Sequence, residues 1–372
     1  MSKLNRRQWL KSSSSLIGAA TLLSGFPSFA NSIVGDQINE ERTLIRLSSN
    51  ENPYGPSKVV RQKIIDSFDE SCRYPWAYMQ PLKEKLAERE GVSSDCIVIT
   101  GGSTEGLKAA GAVYGMYGGN IIAPKPTFLA MMDYSLLFGS NVTYVDVDAN
   151  MGVDLQSMKN SITPQTNLIF LCNPNNPTST LLPSGDLRQF CNEISKDVIV
   201  FSDEAYYDFI EEEGYPSMVE LVKENKNVIV SRTFSKVYGL AGLRIGYLIA
   251  RPDIARRLRD HIMAFTNVPA LRAAEAALDD HDFYQMSLKK NRESKEMIYN
   301  TLDKLDMRYV KSHTNFVFFE SGKEIDQLGK HFYEKGILIG RPFPPFNKWC
   351  RISTGTIEQT DRFCAELRSL YS

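Results

Sequence analysis

Between residues 96 and 249 short apolar runs alternate with stretches of helical character, and that alternation leaves few architectures open. The runs at 96–100, 168–171, 198–201 and 228–230 read as buried strands. Strands separated by helices point to an α/β fold with a mostly parallel sheet. In such sheets ligands bind beyond the carboxyl ends of the strands. Each of the four runs leads into residues with chemistry to offer, so the strand ends are where a site is sought.

The run at 228–230 delivers Ser231-Arg232-Thr233-Phe234-Ser235-Lys236, and Arg244 follows eight residues later, behind a glycine-containing loop. A lysine so placed suits Schiff-base formation with an aldehyde. A guanidinium, planar and always charged, suits a phosphate on the same molecule. The run at 198–201 leads into Ser202-Asp203-Glu204-Ala205-Tyr206. Asp203 reads either as a helix N-cap or as a carboxylate that keeps a proton on a cofactor ring nitrogen. The run at 168–171 ends in Cys172-Asn173-Pro174-Asn175-Asn176-Pro177-Thr178, a turn by virtue of its prolines. The run at 96–100 ends in Gly101-Gly102-Ser103-Thr104-Glu105-Gly106 and opens a helical stretch over 107–117. A glycine turn at a helix start presents free N–H groups and suits a phosphate, although it is no G-x-G-x-x-G fingerprint. Two further segments complete the set: Pro124-Lys125-Pro126-Thr127-Phe128, and Cys350-Arg351-Ile352-Ser353-Thr354-Gly355 near the chain end.

Taken together these segments resemble the pyridoxal-phosphate aminotransferases of class I and II. Leu47-Ser48-Ser49-Asn50-Glu51-Asn52-Pro53-Tyr54-Gly55-Pro56 and Arg73-Tyr74-Pro75 resemble the histidinol-phosphate branch of that family. The resemblance runs from about Leu44 to the end of the chain. It implies the fold-type I architecture: a large domain with a mostly parallel seven-stranded sheet over 71–268, and a smaller α/β domain built from 44–70 and 269–372. It implies pyridoxal 5'-phosphate as cofactor, with Lys236 forming the Schiff base and shuttling the substrate proton. Asp203 would hold the ring nitrogen, Tyr206 and Asn176 the ring hydroxyl, and Phe128 would stack on the ring for about 1 kcal/mol. Gly102, Ser103, Thr104, Thr233, Ser235 and Arg244 would seat the phosphate. Tyr74 would reach the phosphate of a neighbouring subunit, which implies a homodimer. Arg351, with Asn176, would grip the substrate carboxylate; Tyr54 would line the pocket, and Arg341 matches a position where relatives keep an arginine. Ser179 stands where the family usually has glycine. The reaction implied is transfer of an amino group between an amino acid or amine and a 2-oxo acid. The alternatives are a decarboxylase, racemase or lyase on the same fold, since fold does not fix reaction, or a non-catalytic binding protein. Trp76, Tyr78, Phe343, Phe346 and Trp349 suggest an apolar amino donor, and Arg341 suggests an acidic one.

The N-terminal 30 residues read differently. Asn5-Arg6-Arg7-Gln8-Trp9-Leu10-Lys11 precedes an apolar stretch at 16–23 and then Ser28-Phe29-Ala30. A charged start, a short apolar region and a small-x-small cleavage site describe an export signal, and the arginine pair makes it a twin-arginine one. The expectation is a periplasmic or otherwise exported enzyme that uses the export machinery, with 31–43 as an N-terminal arm. An uncleaved helix or tail, and a cytoplasmic protein, is the alternative. Losing residues 1–30 moves the net charge from −1 to −5, and no basic surplus points to nucleic acid. Six cysteines without a C-x-x-C pair read as buried thiols, and four scattered histidines suggest no metal site.

Overall fold

The apolar runs do become strands, and burial on both faces is what their sequences encode. A computed structural model describes residues 44–372; the expected export signal and N-terminal arm lie outside the described residues. In chain order the strands are β1 (Ile45–Arg46), β2 (Ile97–Thr100), β3 (Asn120–Lys125), β4 (Asn141–Asp146), β5 (Thr166–Cys172), β6 (Ile199–Asp203), β7 (Val228–Thr233), β8 (Gly246–Ala250), β9 (Tyr309–Val310), β10 (Phe316–Glu320), β11 (Ile337–Leu338) and β12 (Trp349–Ser353). Seven of them form the main sheet in the order β2-β8-β7-β6-β5-β3-β4. Only β8 runs against its neighbours; the other six share one direction.

Side chains alternate between two apolar layers. Val228 and Val230 enter one and Ile229 the other; Ile169 and Leu171 enter the first, Leu168 and Phe170 the second. The second layer is closed by the helix Ser103–Gly115 through Leu107, Ala110 and Val113. The first is closed by the helices Trp76–Glu90 and Ser184–Ile194 through Leu82, Leu86, Leu187 and Phe190. Phe170 and Phe201 are fully buried with ring centroids 6.0 Å apart. Burial of each such ring contributes about 2–3 kcal/mol before chain entropy is counted.

The carboxyl ends of β2, β3, β5, β6 and β7 therefore share one edge of the sheet, and β8 begins there. A second body of structure lies at the chain's two ends. β12, β10 and β9 form an antiparallel sheet, and β1 pairs in parallel with β11. Its core unites Leu47 with Ile298, Leu302, Val317, Phe319, Phe332 and Phe363. Thr356 and Gln359 form a reciprocal capping box on the last helix, Ile357–Tyr371. Five cysteines are buried and Cys72 is exposed; all six are free thiols.

Candidate active site

The loop after β7 places Lys236. Its amides fold back on the sheet, with Leu240 N–H on the Phe234 carbonyl at 3.0 Å and Phe234 N–H on the Ile245 carbonyl at 3.2 Å. Gly239 adopts φ 70° and touches Gly55; a Cβ on Gly239 would lie 2.6 Å from the Gly55 Cα. That approach brings the segment around Asn50 onto the lysine loop. Lys236 Nζ donates to the Asn50 carbonyl at 3.0 Å and lies 5.4 Å from the Tyr206 ring centroid. Burial and the nearby Arg351 push the amine down to about 8.

Asp203 and Glu204, adjacent in sequence, have opposite environments. Glu204 is held by Arg232 at 2.8 Å, by the Met218 N–H at 2.8 Å and by the Ser217 hydroxyl at 2.8 Å. Asp203 is 2% exposed and its Oδ1 has no hydrogen-bond partner among the described residues. Burial raises it to about 7, against the Ala205 backbone N–H and the pull of Lys236. It caps no helix, since the short 3-10 turn that follows, Tyr207–Phe209, has Tyr206 at its N-cap.

Tyr206, Asn176 and Arg351 join in one network. Arg351 Nη1 donates to Asn176 Oδ1 at 2.7 Å and Nη2 to the Ser48 carbonyl at 2.5 Å. Asn176 Nδ2 donates to the Tyr206 hydroxyl at 3.4 Å. Arg351 has no acidic partner among the described residues, its Nε is unpaired, and burial lowers the guanidinium to about 10. Its carbon lies 4.9 Å from the Phe343 ring, and Arg341 lies 4.5 Å from the same ring. One aromatic side chain thus carries two guanidiniums.

Gly102 has φ 83° and stands at the N-cap of the helix Ser103–Gly115, whose first turn has no side-chain cap. A Cβ there would fall 2.4 Å from Arg244 Nη2. Arg244 donates to the Ala241 carbonyl at 2.8 Å and lies beside Gly101, so a guanidinium and the uncapped helix start share one place. At the end of β7, Thr233 Oγ1 accepts from the Ser235 N–H at 3.1 Å. Phe128 is partly buried against the second apolar layer. The Tyr54 hydroxyl accepts from the Ile357 N–H at 3.2 Å.

Tyr74 stands apart from this network: it is 73% exposed and stacks on Trp76 at 5.1 Å. Of the aromatics behind an apolar donor, Trp76 is exposed and Trp349 packs on Phe318 at 5.0 Å, within a small core that also holds Phe343. Tyr78 lies under Arg272 at 4.8 Å. These are packing and surface roles, which removes most of the support for an apolar pocket. Sequence reasoning missed Asn50 and Ser353. Both act through bonds that residue type does not announce, although asparagine is one of the few residues at ease with the φ of 55° found at position 50.

The sequence model of the family "Aminotransferase class I and II" matches residues 42–367. The chain belongs to the class I and II aminotransferases. It is similar to the histidinol-phosphate aminotransferase of Anoxybacillus flavithermus, with 33% identity over 88% of this chain and 89% of that one. For the histidinol-phosphate aminotransferase of Moorella thermoacetica the identity is 35%, over 88% and 86%. The solved histidinol-phosphate aminotransferase of Sinorhizobium meliloti, in complex with pyridoxal-5'-phosphate, superposes with a TM-score of 0.80 at 26% identity, covering 88% of this chain and 92% of that one. This aminotransferase is accordingly a pyridoxal-phosphate-dependent transaminase of fold type I.

Proposed function

We propose that Lys236 is the cofactor-bearing and proton-carrying residue, and that the enzyme moves the amino group of a donor carrying two negative charges, on two carboxylates or on one phosphate. The observation that carries the assignment is a pair of charges that both act on Lys236 and lack counterparts among the described residues: Asp203 Oδ1 has no hydrogen-bond partner and Arg351 no acid.

The residues fit pyridoxal phosphate. The unpaired Asp203 oxygen suits a protonated ring nitrogen, and the uncapped amides of Ser103 and Thr104, with Arg244, suit the phosphate. Thr233 and Ser235 add hydroxyls from the same loop. Phe128 suits the ring face, and Tyr206 and Asn176 its hydroxyl. When bound, the cofactor supplies an aldehyde for Lys236 and an electron-withdrawing ring. Arg351 grips the substrate's anionic group, carboxylate or phosphate, with charge-assisted hydrogen bonds and so turns the Cα–H bond toward the lysine. Lys236, brought near neutrality by burial, takes that proton at Nζ.

Arg341 and Arg351 on the shared Phe343 ring support a donor that brings two negative charges. A dicarboxylate fits with one carboxylate on each guanidinium, and so does a phosphate ester, as in the substrate named for the relatives, whose single phosphate would engage both; Tyr54 would line the same pocket. The exposed Tyr74 and Trp76 stack, with Phe265 edge-on at 5.9 Å, supports a second copy of the chain as cover for that face. The arginine pair at 6 and 7 supports export. Borohydride reduction followed by peptide mapping tests the lysine: the cofactor mass is expected on Lys236, and its recovery on any other lysine refutes the assignment. Comparing kcat/KM for histidinol phosphate, glutamate, leucine and phenylalanine tests the donor. A tenfold preference for leucine or phenylalanine, about 1.4 kcal/mol, overturns the two-charge reading.

A further inference from the structure

Asn50 touches two of the residues to which roles are given above, Lys236 and Tyr206. Its carbonyl accepts from Lys236 Nζ at 3.0 Å and from Asn315 Nδ2 at 3.0 Å. Its side-chain Nδ2 donates to the Tyr206 hydroxyl at 2.9 Å. Its backbone N–H donates to Ser353 Oγ at 2.8 Å, and Ser353 Oγ donates back to Asn50 Oδ1 at 2.9 Å. Ser353 lies two residues beyond Arg351 on β12. A ring of contacts therefore runs from Arg351 through Asn176, Tyr206, Asn50 and Ser353 back to the same strand.

The hydrogen bonds turn both amides the same way, nitrogen toward Tyr206. Arginine only donates, so Asn176 presents Oδ1 to Arg351 and Nδ2 to Tyr206. Ser353 Oγ accepts from the Asn50 backbone N–H and donates its own hydrogen to Asn50 Oδ1. Asn50 then presents Nδ2 to Tyr206. The Tyr206 oxygen receives two amide N–H groups, and its own hydrogen is left over to donate. Tyr206 is 3% exposed and burial raises its phenol, so the hydrogen stays on.

We propose that Asn50 is a positioning residue: its side chain turns the Tyr206 hydroxyl into a fixed hydrogen donor for the cofactor, and its carbonyl is the resting acceptor of Lys236. The inference rests on the reading that Lys236 bears the cofactor. Two substitutions separate its halves. Asn50→Gly suits the left-handed backbone and keeps the carbonyl, but deletes the amide. Asn50→Asp keeps the shape, only accepts, and so draws the Tyr206 hydrogen to itself. It also adds a carboxylate to the groups that already face Lys236, namely Arg351, Glu51, Asp203 and Arg244.

The first measurement uses cofactor-free protein and follows reductive methylation of Lys236 against pH by peptide mass spectrometry. Asn50→Asp is expected to raise the midpoint by about one pH unit or more. Asn50→Gly should leave it within a few tenths. The second uses the holoenzyme and follows the absorbance of the bound cofactor with pH, together with kcat and KM. Asn50→Gly should shift the absorbance titration and lower kcat about tenfold with little change in KM, the pattern of an interaction serving the chemical step. Ser353→Ala, which frees the Asn50 amide, should give a smaller shift in the same direction. The proposal is overturned if Asn50→Gly and Ser353→Ala both leave the absorbance titration and kcat at wild-type values, or if Asn50→Asp leaves the Lys236 midpoint unmoved. Should Asn50→Asp fail to fold, Asn50→Gly and Ser353→Ala still decide. Failure to trap cofactor on Lys236 in the wild type refutes the underlying reading; trapping there with unaltered variants refutes the role of Asn50 alone.

Discussion

Replacing Asp203 by Asn should stabilise the cofactor-free protein at pH 8 while disabling the enzyme. Asp203 is buried, one of its oxygens is unpaired, and its pKa is raised from 3.8 to about 7, chiefly by burial. A carboxyl whose folded pKa lies above its unfolded value binds more protons folded than unfolded. Stability therefore falls as pH rises from about 4 to about 7, and the loss is complete above that window. Three pKa units correspond to roughly 4 kcal/mol, of which roughly 2 accrues between pH 5 and pH 7. Asparagine removes the charge but introduces an amide that needs partners, at a cost of about 1–3 kcal/mol. The net gain at pH 8 is then about 2 kcal/mol, turning to a loss near pH 5. Urea denaturation of wild type and Asp203→Asn, both without cofactor, measures the difference at the two pH values. Saturating pyridoxal phosphate should narrow the gap at pH 8, because the bound ring supplies the missing partner in the wild type only. A stability difference independent of pH would falsify the claim that Asp203 is a buried, unmatched charge.

Arg351→Lys replaces a fork of donors by one ammonium and should lower kcat/KM about a hundredfold for any carboxylate-bearing donor, read by steady-state kinetics. Ser179, at φ 61°, should accept glycine freely, whereas Ser179→Val should cost about 2 kcal/mol in denaturant titrations, since a β-branched residue resists that conformation. Replacing Arg6 and Arg7 together by lysine should leave the protein in the cytoplasm on fractionation; unchanged export after that substitution refutes a twin-arginine signal.

Much of the sheet was legible because its central strands are apolar on both faces. Val228, Ile229 and Val230 need no alternation to announce a strand when each finds its own layer. β4 escaped notice because it forms the sheet edge and its residues stay half exposed. β3 carries Pro124, which reads as punctuation and sits here near the strand's end. Lys236, Asp203 and Arg351 could be proposed because their residue types are rare at buried strand ends and each has a specific use. The links between them could not. The bonds of Lys236 to the Asn50 carbonyl and of Arg351 to the Ser48 carbonyl engage main-chain oxygens that every residue possesses. Trp349, packed on Phe318, shows the opposite difficulty: aromatics near an expected pocket look the same in sequence whether they meet substrate or one another.

The reversed direction of β8 gives the spacing between Lys236 and Arg244 the character of a ruler. β7 and β8 pair with Thr233 opposite Gly246, so the lysine leaves the end of one strand and the arginine enters the start of the next. Both ends of the connecting loop are pinned by that register, and Gly239 is pinned a third time against Gly55. One residue more or less would either slip the pairing, sending every side chain of β8 to the opposite layer, or bulge the loop away from Gly55. The length of this loop is therefore a dimension of the active site, as fixed as any bond distance within it.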